Sequence, residues 1–95
     1  EADTGVSGRV AQAIAKKMLT ISTDSQVLAI THLPQVAAAA THHYLISKLT
    51  ENDRTLTQVA PLDEDGRVHA IAMMLSGDNI TETALANARD LRQEF

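Results

Sequence analysis

Hydrophobic residues recur at two different spacings in the first part of the chain, and each spacing predicts a different element. An apolar residue at every fourth position predicts a helix over residues 6–19, with Ser7 as its N-cap. The predicted inner face comprises Val6, Val10, Ala13, Ile14, Met18 and Ile21. Residues 26–31, QVLAIT, are nearly all apolar, which is typical of a strand covered on both faces in a parallel sheet. Pro34 then fits the start of a short helix that continues over residues 35–40.

The second part of the chain predicts a hairpin followed by two helices. Residues 43–50 and 55–62 flank the turn-forming stretch ENDR and predict an antiparallel hairpin, which Pro61 closes. A helix is predicted over 65–76 with Gly77 just beyond its end, and another over 82–94 with Thr81 as its N-cap. The predicted inner face of the helix over 65–76 comprises Val68, Ile71, Ala72 and Leu75. That of the helix over 82–94 comprises Leu85, Ala88, Leu91, Arg92 and Phe95. Ile80 and Leu85 are spaced as a hydrophobic staple at the start of this last helix.

The order of these elements predicts an α/β fold that is incomplete. One buried parallel-type strand, one hairpin and about four helices make a poor sheet by themselves, because the strand over 26–31 needs parallel neighbours that the chain does not supply. We therefore expect residues 1–95 to form a single partial domain of a larger α/β domain.

Composition excludes several classes of site. The chain has 95 residues, no cysteine, 2% aromatic residues and a net charge of -4. Without cysteine it can form neither a disulfide nor a thiolate metal site. Its acidity argues against broad electrostatic attraction to DNA by this chain alone. No apolar run reaches the roughly 20 residues of a membrane helix, and no signal peptide is visible, so we expect no membrane association.

Two places could carry chemistry. Glu1 and Asp3 precede a glycine-containing turn and a helix, where a carboxylate could hold a water molecule or Mg²⁺, or could simply favour the helix dipole. His32 follows the predicted strand and precedes the Pro34 helix. The carboxyl end of a parallel strand is where α/β proteins place ligands, so this imidazole could reach a phosphate or a reacting water. The alternative is a histidine that is bonded to a loop carbonyl.

Two further patterns are better explained by structure than by chemistry. The histidines are His32, His42, His43 and His69, and their spacing does not fit a zinc site, so we expect no metal in this chain. Met73 and Met74 are typical of core packing.

Two motifs together identify a family. The stretch EADTGVSGRVAQAIAKKM, followed by a strand and then by THLPQVAAAA, resembles the C-terminal part of the bacterial RecN family. RecN proteins are DNA repair ATPases of the SMC-like, ABC type. DTGVSG and THLPQVA in this order are specific to that family, and the likeness extends to the tail MLSGDNITETALANARDL.

The resemblance implies a role for each motif. Glu1 looks like the last acidic residue of the Walker B motif, so the sequence is expected to begin inside that motif, and the family's glutamate polarises the attacking water. His32 would match the switch histidine that contacts the γ-phosphate. The D-loop, which crosses to a partner head in the ATP-bound dimer, would comprise Asp3, Thr4, Gly5, Ser7 and Gly8. Ala2 departs mildly from the family, where this position is apolar and larger.

The resemblance also implies the context in which these residues act. The chain would be the C-terminal lobe of a P-loop ATPase head that uses ATP and Mg²⁺ and dimerises with a second head. The parent would act on DNA double-strand breaks in the bacterial cytoplasm, at the nucleoid. The chain lacks the Walker A loop and the signature motif, so alone we expect it to be inactive and to self-associate through its unpartnered apolar surface. The alternative is a non-catalytic interaction module that binds a partner through its apolar helix faces and hairpin edge.

Overall fold

The computed structural model of this chain describes residues 8–95, which form four α-helices and one two-stranded sheet. The elements are α1 (Gly8–Ser22), α2 (Pro34–Ala39), β1 (Tyr44–Glu51), β2 (Arg54–Pro61), α3 (Glu64–Ser76) and α4 (Glu82–Gln93). The α/β class, the hairpin and the helices predicted from the sequence are therefore confirmed, with α1 running three residues further than expected. None of the helices within residues 8–95 is long and apolar enough to cross a membrane.

Local signals fix the ends of the last two helices. The Asp63 side chain accepts a hydrogen bond from the backbone N–H of Gly66 at 2.8 Å, and Thr81 Oγ1 accepts one from Ala84 at 3.0 Å. Gly77 has a φ of 74°, a left-handed conformation that glycine adopts without strain, and its N–H donates to the carbonyl of Met73 at 2.7 Å. These contacts confirm the predicted Thr81 cap and the predicted Gly77 terminus.

The hydrophobic core lies between the helices, with the short helix α2 at its centre. One cluster joins α2, α3 and α4 and consists of Ala37, Ala38, Val68, Ile71, Ala72, Ala84 and Ala88, with Met74, Ile80, Leu85, Leu91 and Phe95 packed against it. A smaller cluster joins α1 to α2 through Ala15, Val36 and Ala39. Small alanine side chains let the helices approach closely, and Ile71 is the largest side chain that is fully buried among the described residues. This packing confirms the predicted inner face of α4.

The inner face predicted for α1 is confirmed at Met18, which packs against the smaller cluster, but is wrong at most of its other described positions. Ala11 and Ala15 are buried, whereas Val10, Ile14 and Ile21 are exposed. Val6 lies outside the described residues. The reason is that α2 offers an alanine-rich surface, against which the small side chains of α1 pack more closely than the branched ones. Val10, Ile14 and Ile21 consequently face away from the helical core, while Met18 and Leu19 pack against the smaller cluster.

The predicted buried strand over residues 26–31 is also wrong. This stretch has no strand pairing, and the side chains of Leu28 and Ile30 are 87% and 93% exposed. A parallel strand needs neighbours on its edges and cover on its faces, and residues 8–95 supply neither here. The stretch is called the apolar segment below.

The hairpin forms as expected but stands apart from the core. β1 pairs with β2 from Tyr44–Pro61 to Glu51–Arg54, and every residue of both strands is exposed. Asn52 and Asp53 form its two-residue turn with φ values of 51° and 62°, which suit a type I′ turn and match the right-handed twist of the strands. The turn chemistry therefore specifies this hairpin without help from a core.

Two smaller predictions on α3 need correction. Leu75 was predicted to lie on the inner face, but it is exposed at the end of the helix. Met74 packs against the core cluster as predicted, whereas Met73 is exposed. Adjacent residues on a helix point about 100° apart, so both methionines cannot face the same core.

Candidate functional site

His32 lies in a loop whose backbone is fixed at the start of α2. The hydroxyl of Thr31 accepts a hydrogen bond from the N–H of Leu33 at 2.9 Å, which forms a tight local turn around His32. The carbonyl of Leu33 accepts the first helical bond, from Ala37 at 3.1 Å, and Pro34 occupies the first turn. The His32 side chain is exposed. The sequence thus places this imidazole on a defined backbone and in an exposed position.

The start of α1 lies beside the start of α2. A methyl group added at Gly8 would come within 3.2 Å of Nε2 of Gln35, the residue after Pro34. Gly8 is the one predicted D-loop residue within the described residues. Its contact with Gln35 places it close to the helix that follows His32. The other predicted site residues lie outside the described residues, namely Glu1, Asp3, Thr4, Gly5 and Ser7.

Arg67 holds the opposite end of α2. This side chain projects from α3 and is only 5% exposed. Its Nη2 donates to the carbonyls of Ala37 at 3.1 Å and Ala40 at 2.6 Å, and its Nη1 donates to that of Thr41 at 3.2 Å. The last carbonyls of a helix have no partner within the helix, and α2 has no basic residue in its own last turn. Arg67 thus supplies from a distance the cap that α2 lacks.

Arg92 binds the same end of α2 from α4. Its Nη1 donates to the carbonyl of Ala38 at 2.6 Å, while Nε and Nη2 donate to the two carboxylate oxygens of Glu64 at 2.9 and 2.8 Å. This two-point pairing uses the planar fork of the guanidinium. It lowers the pKa of Glu64 and raises that of Arg92, chiefly through the hydrogen bonds themselves. A single side chain therefore joins three helices.

His43 lies next to these two arginines. Burial lowers the pKa of its imidazole, and the positive charges of Arg67 and Arg92 lower it further. Its Nδ1 is buried without a hydrogen-bond partner in the structure. The imidazole is consequently held in its neutral form more strongly than an exposed histidine. Burial likewise lowers the pKa of Arg67.

The described residues offer little to a metal ion. Across residues 8–95, no three His, Cys, Asp or Glu side chains come together in a group that could hold one. His42 and His69 are exposed, and His43 is half-buried.

Sequence reasoning missed the arginine pair as a structural cap. Arg92 was assigned to the inner stripe of its helix, which was correct, but no reason for a charge there was given. A signal was present, because the last four residues of this short helix are Val and Ala, whose side chains have no donor for its last carbonyls. A buried arginine elsewhere in the chain is the natural donor.

Comparison with known proteins identifies the relatives of this chain. No protein-family model matches it. DNA repair protein RecN of Bacillus subtilis is 49% identical over 94 residues, which cover 99% of this chain. The RecN proteins of Halalkalibacterium halodurans and Deinococcus radiodurans are 52% and 45% identical over 91 residues, or 96% of the chain. The chain is homologous to RecN proteins along nearly its whole length.

The predicted resemblance to RecN is thereby confirmed. The chain spans about one sixth of each of these RecN relatives, 16% of their length. Their name places them in DNA repair. The matched regions include His32, Arg67 and the hairpin, since they leave out at most four residues of the chain.

Proposed function

We propose that this chain is part of the ATP-hydrolysing head of a RecN-type protein that repairs DNA double-strand breaks. In this proposal it is the C-terminal lobe of a P-loop, SMC-like head, and it supplies the end of the Walker B motif, the D-loop and the switch histidine. The apolar segment would then be a strand of the central sheet of the head. The observation that supports the proposal most is the exposed His32 on a fixed loop, beside the helix start that follows the D-loop residues.

Phosphoryl transfer to water requires positioned polar groups and no covalent intermediate with the protein. Bound ATP with Mg²⁺ would supply the phosphoryl group that is transferred to water. The exposed imidazole of His32 can donate a hydrogen bond to a phosphate oxygen, where it would stabilise the charge that develops during transfer. Glu1 would orient the water, and Asp3 to Gly8 would contact the second head. Arg67 and Arg92 do not fit as phosphate ligands, since carbonyls at the end of α2 and Glu64 already accept from the Nη groups of Arg67 and from Arg92. The remaining Nε of Arg67 is buried.

A kinetic comparison in a complete RecN-type protein carrying this sequence tests the proposal. We expect Glu1→Gln and His32→Ala to slow single-turnover ATP hydrolysis by about 10²-fold or more, while ATP still binds. His42→Ala is the matched control, because His42 is also exposed but follows α2 instead of preceding it. Normal rates of ATP hydrolysis in both Glu1→Gln and His32→Ala would contradict the proposal.

The chain by itself is proposed to be inactive. It contains neither a Walker A loop nor a signature motif, so the groups that hold the nucleotide would come from the rest of the head. Micromolar binding of ATP to the 95-residue chain would contradict this part of the proposal. The complete protein is proposed to act in the cytoplasm, at the nucleoid, as a dimer of heads that engages DNA.

A second function is favoured by a different observation. A groove of about 610 Å³ lies between α1, the apolar segment and the start of the hairpin, and its lining is mostly apolar. A non-catalytic interaction module would bind a partner there or along the hairpin edge. In that case His32→Ala would leave hydrolysis unchanged, whereas Leu28→Asp would abolish partner binding.

A further inference from the structure

The short helix α2 connects its C-terminal end, which the two arginines bind, to His32 just before its start. It has six residues and so spans about 9 Å, and His32 lies two residues before Pro34. An isolated helix of this length is unstable in water, so its placement depends on contacts from other elements. The turn made by Thr31 joins the His32 backbone to the helix. A shift of α2 would therefore move His32 with it.

The contacts at the far end of α2 come from α3 and α4. Arg92 reaches the carbonyl of Ala38 across 54 positions of sequence, and its other donors are taken by Glu64. Glu64 thus determines the rotation of the guanidinium and aims Nη1 at α2. Lysine could not reproduce this arrangement, because a single ammonium lacks the planar fork.

Arg67 and Arg92 differ in how much of the fold depends on them. Arg67 is buried and satisfies three carbonyls, so its removal disturbs folding. Arg92 and Glu64 are more exposed, with side-chain exposures of 21% and 59%. Arg92 and Glu64 are accordingly the pair through which the placement of α2 can be changed without unfolding the protein.

We propose that Arg92, oriented by Glu64, is a positioning residue that fixes the place of His32 by holding the end of α2. This inference rests on the proposed function for its catalytic consequence. It links the C-terminal helix of the chain to the switch histidine. Loss of Arg92 leaves the His32 imidazole intact. It allows α2, and with it His32, to move relative to the nucleotide.

A double-mutant cycle in a complete RecN-type protein tests the inference. Arg92→Ala is expected to lower kcat for ATP hydrolysis by about ten- to hundredfold with KM nearly unchanged, because a small misplacement of a catalytic group is costly. In a His32→Ala background the same substitution should change kcat by less than about twofold, since its target is already absent. Arg92→Lys should not restore the rate. Arg89→Ala, on the exposed side of the same helix, is the matched control.

The outcomes separate this inference from the proposed function. Equal losses with and without His32, or no loss at all, would overturn the positioning role. If His32→Ala itself hydrolyses normally, the proposed function fails, and amide hydrogen exchange over residues 33–40 then decides the inference. Faster exchange there in Arg92→Ala but not in Arg89→Ala supports it, and unchanged exchange overturns it. Glu64→Ala, which removes an exposed carboxylate, gives the same test with a smaller effect if Arg92→Ala does not fold.

Discussion

The helical core differs from the apolar segment and the hairpin in how it uses hydrophobic residues. In the helices, alanines and a few larger side chains close two clusters around α2. In the apolar segment and the hairpin, residues such as Leu28, Ile30 and Val59 are exposed. Both regions have apolar sequences, so composition does not explain the contrast. What differs is whether residues 8–95 supply packing partners for the residue.

This contrast explains how the candidate site is built. His32 stands where the two regions meet, after the apolar segment and before α2. The helical side is held by Arg67 and Arg92, which cap α2 from two other helices. The segment on the other side makes no strand pairing within the described residues. One half of the environment of His32 is thus defined by this chain, and we expect the rest of a RecN-type head to define the other half.

The largest expected difference in the free energy of unfolding is between substitutions of a buried and of an exposed isoleucine. Ile71→Ala should lower the free energy of unfolding by about 2–5 kcal/mol, because Ile71 is fully buried in the core cluster. Ile30→Ala should change it by less than about 0.5 kcal/mol, because that side chain is 93% exposed. Urea unfolding of the chain measures both. Comparable losses would mean that the apolar segment is packed in solution.

A smaller effect is expected at the cap of α2. Arg67→Met should cost about 1–3 kcal/mol, since it keeps apolar volume but leaves helix carbonyls without their donor. Arg89→Met, on an exposed surface, is the control and should be nearly neutral. The measurement is again urea unfolding. A neutral Arg67→Met would show that water replaces the guanidinium at no cost.

The pH dependence of stability should report on His43. Because its pKa is lowered in the folded chain, the unfolded chain binds a proton first as the pH falls below about 6.5. The free energy of unfolding should therefore decrease from pH 7 downward until the pH passes the folded pKa. His43→Gln should flatten this slope, and His42→Gln should keep it. The stabilisation from the lowered pKa of Glu64 is present above its unfolded pKa of about 4.3 and is lost only as the pH falls below that value, so measurements between pH 7.5 and 5 leave it nearly constant. Identical slopes in both variants would contradict the account.

Substitution in the apolar segment is expected to have the smallest effect on the free energy of unfolding. It should change the self-association of the chain instead. We propose that the isolated chain self-associates through this exposed surface. Leu28→Asp should leave unfolding nearly unchanged but reduce the average mass seen by light scattering. Thr23→Asp, at an exposed polar position nearby, is the control. A wild-type chain that stays monomeric at every concentration would exclude self-association.

The sequence predicted those elements whose signals are local. The Thr81 cap, the Gly77 terminus and the Asn52–Asp53 turn depend on residues close together in the chain, and the structure confirms each. Apolar spacing also located α3 and α4. The inner face of α1 was mispredicted except at Met18, because which side of a helix is buried depends on the surface it meets.

The site was only partly accessible to sequence reasoning. His32 could be singled out from its motif, and the structure places it in an exposed position before α2, while its role stays a prediction. The arginine cap was missed, since Arg92 and Ala38 are 54 positions apart and no periodic pattern connects them. The buried strand was predicted from composition that does suit a strand, but pairing needs a partner, and none lies within residues 8–95.

The most direct test of this account is amide hydrogen exchange over the apolar segment, measured in the 95-residue chain and in a complete RecN-type protein that carries it. We expect Val27 to Ile30 to exchange rapidly in the chain, because residues 8–95 form no strand bonds with these amides. We expect slow exchange in the complete protein, where they would pair in the central sheet. Protection only in the complete protein would support the placement of His32 at the end of a sheet strand. Rapid exchange in both would contradict that placement and the ATPase-head proposal built on it.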